Sequence, residues 1–226
     1  MKYALDLLLD TGFLESKPVT TPMVKNTHLH QNDSNLYHDP ITYRQLVGRL
    51  LYLTNIMPDL SFYIQQLSQS MAAPTMNHYK ALTRVLRYIK ISSRQGLFYP
   101  TNSIVQIKGF TNSDWTVCPD TRRSISGYCM FLGDALIYWK SKKQITISRS
   151  SSKAEYRALA ISSYEQPALL YCDNDSARYI VANLVFNERT KHIEIDCHVA
   201  RERLQNKLYD LLPINSEQQT VDILTK

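Results

Sequence analysis

The chain has 226 residues, 44% of them hydrophobic and 20% charged, with a formal net charge of +6. That length buries a real core and allows one or two domains, and that composition excludes a disordered chain. No apolar run reaches the length of a membrane span and no basic-then-apolar leader opens the sequence, so a membrane-spanning or secreted protein is not expected.

The excess of cations is spread over both halves, which permits nucleic-acid binding without demanding it. Cys118, Cys129, Cys172 and Cys197 form no CxxC pair and have no histidine at zinc spacing. Buried reduced thiols are expected, and with them the cytosol or nucleus.

In chain order, Tyr3–Leu9 reads as a short helix with Gly12 as its stop. Met1 leads into it without a cap, which suggests a start inside a longer ancestral reading frame. Residues 13–40 hold three prolines and several Asn and Asp residues and read as a loop or linker. Asp39-Pro40 opens a helix whose Tyr43, Leu46, Val47, Leu50 and Leu51 share one face. Pro58-Asp59 starts another, with Phe62, Leu67 and Met71 buried. A third follows Pro74, with Leu82, Val85, Leu86 and Ile89 as its stripe. The opposite face of that helix carries Lys80, Arg84, Arg87 and Lys90. It is either a solvated face or a phosphate-tracking one.

From Gly96 the period shifts towards two. Leu97–Tyr99, Ile104–Phe110, Ser126–Gly133 and Ala135–Trp139 read as strands, the last two as a hairpin around Gly133-Asp134. The Ser150–Ser152 hydroxyls can cap a helix from Lys153 onward, and Pro167 ends it. Ala168–Cys172 is a buried strand bounded by Asp173-Asn174. Helices at 176–183 and 191–205 and a strand at 208–214 complete the chain. Glu155 therefore sits in the first turns of a helix and Asp173 at the carboxyl end of a strand. Two carboxylates placed that way can converge on divalent metal ions, which prefer oxygen ligands.

The phrases SSSKAEYRALA, YCDNDSA and RTKHIEIDCHVARE resemble the ribonuclease H domain of copia-type LTR retrotransposon Pol polyproteins. YRQLVGRLLYL, PDLSF and ALTRVLRYIK resemble the segment that follows the polymerase palm, and VDILTK closes the match. The resemblance implies an α/β (α+β) chain. Residues 1–100 would be a helical, thumb- or connection-like reverse-transcriptase tail. Residues 104–226 would be a ribonuclease H-like mixed sheet with flanking helices, shortened between 163 and 168. No Tyr-x-Asp-Asp phrase of a polymerase site is present.

The family hydrolyses the RNA strand of an RNA–DNA hybrid with three or four carboxylates around two magnesium ions. One ion readies the water and the other steadies the leaving oxygen. Carried over by motif, Glu155 and Asp173 match two of the acids. Asn112 of Gly109-Phe110-Thr111-Asn112-Ser113-Asp114-Trp115 occupies the place of the first acid. Asp114 lies two residues on, roughly 6.6 Å along a strand. For the fourth acid, Glu194 and Asp196 would be about 200° apart on a helix, and the family phrase favours Glu194. Arg122, Arg123, Lys140, Lys142 and Lys143 would flank a hybrid groove if the fold is intact.

An amide in place of an acid, together with the shortened helix, points to a relic with weak or absent nuclease activity. Two alternatives stay open. One is a working hybrid ribonuclease in which Asp114 replaces the lost acid; the other is a non-catalytic nucleic-acid-binding module. RNA–DNA hybrid or other nucleic acid is the implied partner in each, with no membrane and no small-molecule substrate.

Overall fold

The computed structural model describes residues 2–24, 27, 29–31, 34–161, 168–183 and 191–225, with the side chains of 161 and 191–197 outside that description. The chain divides into two compact units, Met1–Leu97 and Phe98–Lys226.

The first unit is helical: α1 (Lys2–Asp10), α2 (Pro40–Leu53), α3 (Ser61–Ser68) and α4 (Met76–Ser92). Local chemistry sets the starts. The Asp39 carboxylate accepts the Thr42 N–H at 3.0 Å with Pro40 in the first turn, and a proline costs nothing where no N–H is needed. Thr75 caps α4 in a reciprocal box with His78. Leu7, Leu8, Val47, Leu50, Leu82, Val85 and Leu86 are all fully buried, whereas Leu51, expected on the same face of α2, is exposed and Leu53 is buried instead. Each such side chain contributes about 1.5–3 kcal/mol through removal from water.

The polar face of α4 is partly engaged within the unit. Arg84 donates to Thr21 Oγ1 at 2.8 Å, Arg87 to the Lys17 carbonyl at 2.7 Å and Lys90 to the Ser16 carbonyl at 2.9 Å. Three of the four cations tie down the segment that follows α1. Pro58-Asp59 opens a 3-10 turn, Pro58–Leu60, before α3 begins.

The second unit carries a five-stranded sheet in the order β3-β2-β1-β4-β5. Its strands are β1 (Ile107–Asp114), β2 (Ile125–Leu132), β3 (Ala135–Lys143), β4 (Ala168–Cys172) and β5 (Tyr209–Pro213). The first three are antiparallel neighbours, and β1–β4 and β4–β5 are parallel. Helices α5 (Ser151–Ile161), α6 (Asp175–Ala182) and α7 (Lys191–Gln205) accompany it. This is the mixed sheet with flanking helices that the resemblance implies. Leu97–Tyr99 is not a strand; Phe98 is 80% exposed, so its apolar pattern has no partner strand to bury against. β1 begins at Ile107 rather than Ile104, and the β2–β3 hairpin turns at Gly133, whose φ is +62°.

Two cores flank the sheet. Tyr156, Leu159, Leu170, Cys172, Val181 and Tyr209 form one. Cys129, Val221 and Leu224 form the other, with Phe110 and Phe131 against it. The second core seats the 3-10 helix Thr220–Leu224 on β2. Gly127 permits this, because a Cβ there would lie 2.7 Å from Val221 Cγ1. Cys118, Cys129 and Cys172 are free and buried, as the thiol pattern leads one to expect; the side chain of Cys197 lies outside the described residues.

Candidate active site

Four segments supply the site: the end of β1, the first turns of α5, the end of β4 and the 3-10 helix Thr220–Leu224. Ser150 Oγ accepts the Lys153 N–H at 3.3 Å and starts α5. Gln144, 5% exposed, anchors that helix to the sheet. Its Nε2 donates to Ser126 Oγ and to the Ala154 carbonyl, each at 2.9 Å, and to Ser113 Oγ at 3.3 Å. Its Oε1 accepts from Ser148 Oγ at 2.8 Å. The residue after Ala154 is thereby held against β1.

That residue is Glu155. It is buried, and its Oε1 accepts the Ser113 N–H at 2.9 Å. Its Oε2 is buried with no hydrogen-bond partner. Burial above all pushes its carboxyl up to about 8. The negative charges of Asp173, Asp114 and Asp222 add to that, and the Ser113 N–H opposes it. One ligand atom each from Glu155, Cys172 and Asp173 lie within 4.8 Å of one another. An orphaned buried carboxylate oxygen beside a second carboxylate fits a divalent cation, since an ion supplies the missing partner and the missing positive charge at once.

Asp173 closes β4. Ser216 Oγ donates to its Oδ2 at 3.0 Å and Gln219 Nε2 to its Oδ1 at 3.3 Å. The same Nε2 reaches the Thr111 carbonyl of β1 at 3.0 Å. Each carboxylate oxygen has two acceptor sites, so one on each remains available to an ion. Asn112, 5% exposed, donates its side-chain amide to Asp222 Oδ1 and, at 3.4 Å, to Thr225 Oγ1.

The site residues expected from sequence therefore fall out unevenly. Glu155 and Asp173 are brought together. Asp114 ends β1 and its charge is felt at Glu155, but it does not join the three-residue ligand group. Glu194 falls on α7, and its side chain lies outside the described residues, as do residues 162–167, within the stretch where a shortening between 163 and 168 is expected. Lys143 donates to Cys118 Sγ at 2.9 Å, so it is committed within the unit rather than held out to a ligand. Burial pushes the Cys118 thiol up, but that amine and the Thr121 N–H outweigh it and hold the thiol below its ordinary value. Lys140 and Lys142 are exposed, two apart on β3 and hence on one face. Arg122 is exposed on a loop in the left-handed region, φ 54°, and Arg123 is half-buried beside it.

Asp222, Gln219, Ser216 and Gln144 were not legible as site residues. The available signal for Asp222 is the phrase VDILTK, which contains this acid and closes the resemblance. The other three are neutral side chains without a spacing rule.

No family model matches the sequence. The retrovirus-related Pol polyprotein from transposon RE2 of Arabidopsis thaliana is 38% identical over 241 residues, an alignment taking in 100% of this chain and 17% of the relative. An uncharacterized mitochondrial protein of the same plant, AtMg00810, is 42% identical over 164 residues, 73% of this chain and 68% of that protein. This chain belongs to the copia-type retrotransposon Pol polyproteins. The corresponding polyprotein from transposon TNT 1-94 of Nicotiana tabacum is 26% identical over 249 residues, again across 100% of the chain. The Pol chain described here thus spans about a sixth of the length of these polyproteins, 17% of RE2 and 18% of TNT 1-94. The RE2 alignment has 241 positions against 226 residues, so this Pol chain lacks residues that the relative has.

Among solved structures, the RNase H1 of Halobacterium salinarum overlaps 53% of this chain and 94% of its own at a TM-score of 0.42 and 12% identity. The N-terminal RNase H domain of a Mycobacterium tuberculosis protein overlaps 54% and 91% at 0.42 and 10%. These are partial overlaps, and no residue is equated across them.

Proposed function

We propose that residues 104–226 are the ribonuclease H-like domain of a Pol relic, related to enzymes that cut the RNA strand of RNA–DNA hybrids, and that its two-metal site is impaired. The single observation carrying this reading is the bond from the Asn112 amide to Asp222. At the position where the family places its first acid, the side chain presents N–H donors to a neighbouring carboxylate. An amide oxygen can ligate a dication but brings no charge, and two dications a few ångströms apart need fixed negative oxygens to balance them.

Glu155 and Asp173 would hold one magnesium ion, with Asp222 beside Asn112 as the third acid of the site. Bound magnesium supplies charge neutralisation at the scissile phosphate and a more acidic attacking water. The chain's own groups do the rest. The Ser113 N–H aims the Glu155 carboxylate, Gln144 fixes the start of its helix, and Ser216 and Gln219 orient Asp173. Lys140 and Lys142 offer exposed charge to a hybrid backbone, a contribution that weakens with salt.

Hydrolysis of a labelled RNA–DNA hybrid in magnesium by the wild type and by Asn112→Asp tests the reading. Weak or absent cleavage by the wild type and a gain of a hundredfold or more in the variant are expected. Wild-type cleavage that is robust and unchanged by Asn112→Asp would sink it.

A further inference from the structure

The ligand group at the candidate site is chemically mixed. Glu155 and Asp173 offer carboxylate oxygens, but the third member is the thiol of Cys172, and one atom from each lies within 4.8 Å of the others. Cys172 is the last residue of β4 and is fully buried on the face that α5 covers. Its thiol donates to the Asn174 carbonyl at 4.0 Å, the outer limit for a sulfur contact. A second, independent feature points to a ligand at the same place: Glu155 is 5% exposed and its Oε2 has no partner.

Magnesium takes oxygen ligands almost exclusively and gains nothing from a thiol. Zinc-class dications bind thiolate sulfur at about 2.3 Å and carboxylate oxygen at about 2.0–2.2 Å, usually with four ligands. Ordinary rotamer adjustment closes ligand separations of under 5 Å onto such an ion. We infer that Glu155, Cys172 and Asp173 form a site for a thiophilic dication of the Zn2+ or Cd2+ class, and that such an ion excludes magnesium by taking the same two carboxylates. The exclusion rests on the magnesium reading proposed above; the soft-metal site itself does not. Binding forms a metal–sulfur bond, and the thiol proton leaves to solvent.

Cd2+ is the probe, because its bond to thiolate gives an ultraviolet charge-transfer band. Titration of the full chain should develop the band at one equivalent. Cys172→Ser should abolish it although Cys118, Cys129 and Cys197 remain. Glu155→Gln, with the thiol intact, should weaken Cd2+ at least tenfold, which keeps the test alive if the serine variant does not fold. A band that survives Cys172→Ser, or no band in the wild type, overturns the site. In a second arm the chain is loaded with Mn2+, and free Mn2+ is followed by electron paramagnetic resonance as Cd2+ is added. Release of Mn2+ by one equivalent supports the exclusion, and retention overturns it. If Mn2+ never binds but the band appears, the magnesium reading falls and the soft-metal site stands.

Discussion

The side-chain amide of Asn112 donates to Asp222 Oδ1, joining two positions 110 residues apart. The amide neutralises nothing but satisfies the carboxylate, which makes the metal-free fold self-sufficient at this point. Asn112→Asp removes the donor and sets two carboxylates against each other. In EDTA the variant should melt lower by the equivalent of about 1–3 kcal/mol. Magnesium should recover more stability in the variant than in the wild type. Paired thermal melts with and without Mg2+ check this, and equal magnesium effects in the two proteins would contradict it.

Glu155 gives a pH signature. Its carboxyl stands at about 8 in the fold, against an ordinary 4.5. The folded chain keeps a proton that the unfolded chain releases, so this group makes stability fall as pH rises from about 4.5 to about 8, with no further change above that. Glu155→Gln removes the titration. Without divalent ions the variant should lose the downward slope in that window and gain on the wild type at pH 8, on the order of 4 kcal/mol at about 1.4 kcal/mol per pKa unit with the group half titrated there. Urea melts at pH 5, 6.5 and 8 measure the slope. Parallel curves for the two proteins would contradict the burial of an ionisable group there.

Gln219 braces the site from behind. Its Nε2 spans the Thr111 carbonyl and the Asp173 carboxylate, while its Oε1 is buried without a partner. Gln219→Leu should cost about 1–3 kcal/mol through the unpaired Thr111 carbonyl. Mn2+ affinity should fall by about tenfold or more, since groups that orient a ligand are worth 10–100-fold. Mn2+ binding and a melt in EDTA separate the two effects. A fall in stability with unchanged affinity would make Gln219 purely structural.

The cations of α4 test the first unit. Arg84 and Arg87 hold the segment around Lys17 and Thr21. Replacing either with Ala should cost about 1 kcal/mol and speed proteolytic nicking between residues 13 and 24. The salt slope of hybrid binding should be unchanged, because each guanidinium is bonded within the unit. A slope reduced by about one in either variant would restore the phosphate-tracking role.

Much of this was legible in the residues. The stripe of α4, the helix start at Asp39-Pro40, the Gly133 turn and the apolar run of β4 each follow from rules acting over a few positions. Glu155 and Asp173 were legible because each sits in a phrase with its own helix-start or strand-end chemistry. The strand expected at Leu97–Tyr99 failed, because a short apolar run becomes a strand only when a neighbour pairs with it.

What the sequence by itself determined is most of the helices and strands and two of the carboxylates, since periodicity and capping are local and need no partner. What only the tertiary structure decided is who meets whom. Asp222 reaches Asn112, Ser216 and Gln219 reach Asp173, and Arg87 and Lys90 of α4 turn onto backbone carbonyls. A hydrogen bond leaves no trace in the spacing of residues that lie dozens of positions apart, and a 3-10 turn of five residues is too short to carry a period. The placement of that turn follows from Val221 and Leu224 packing over Gly127, a fit of shape that arises once the sheet exists.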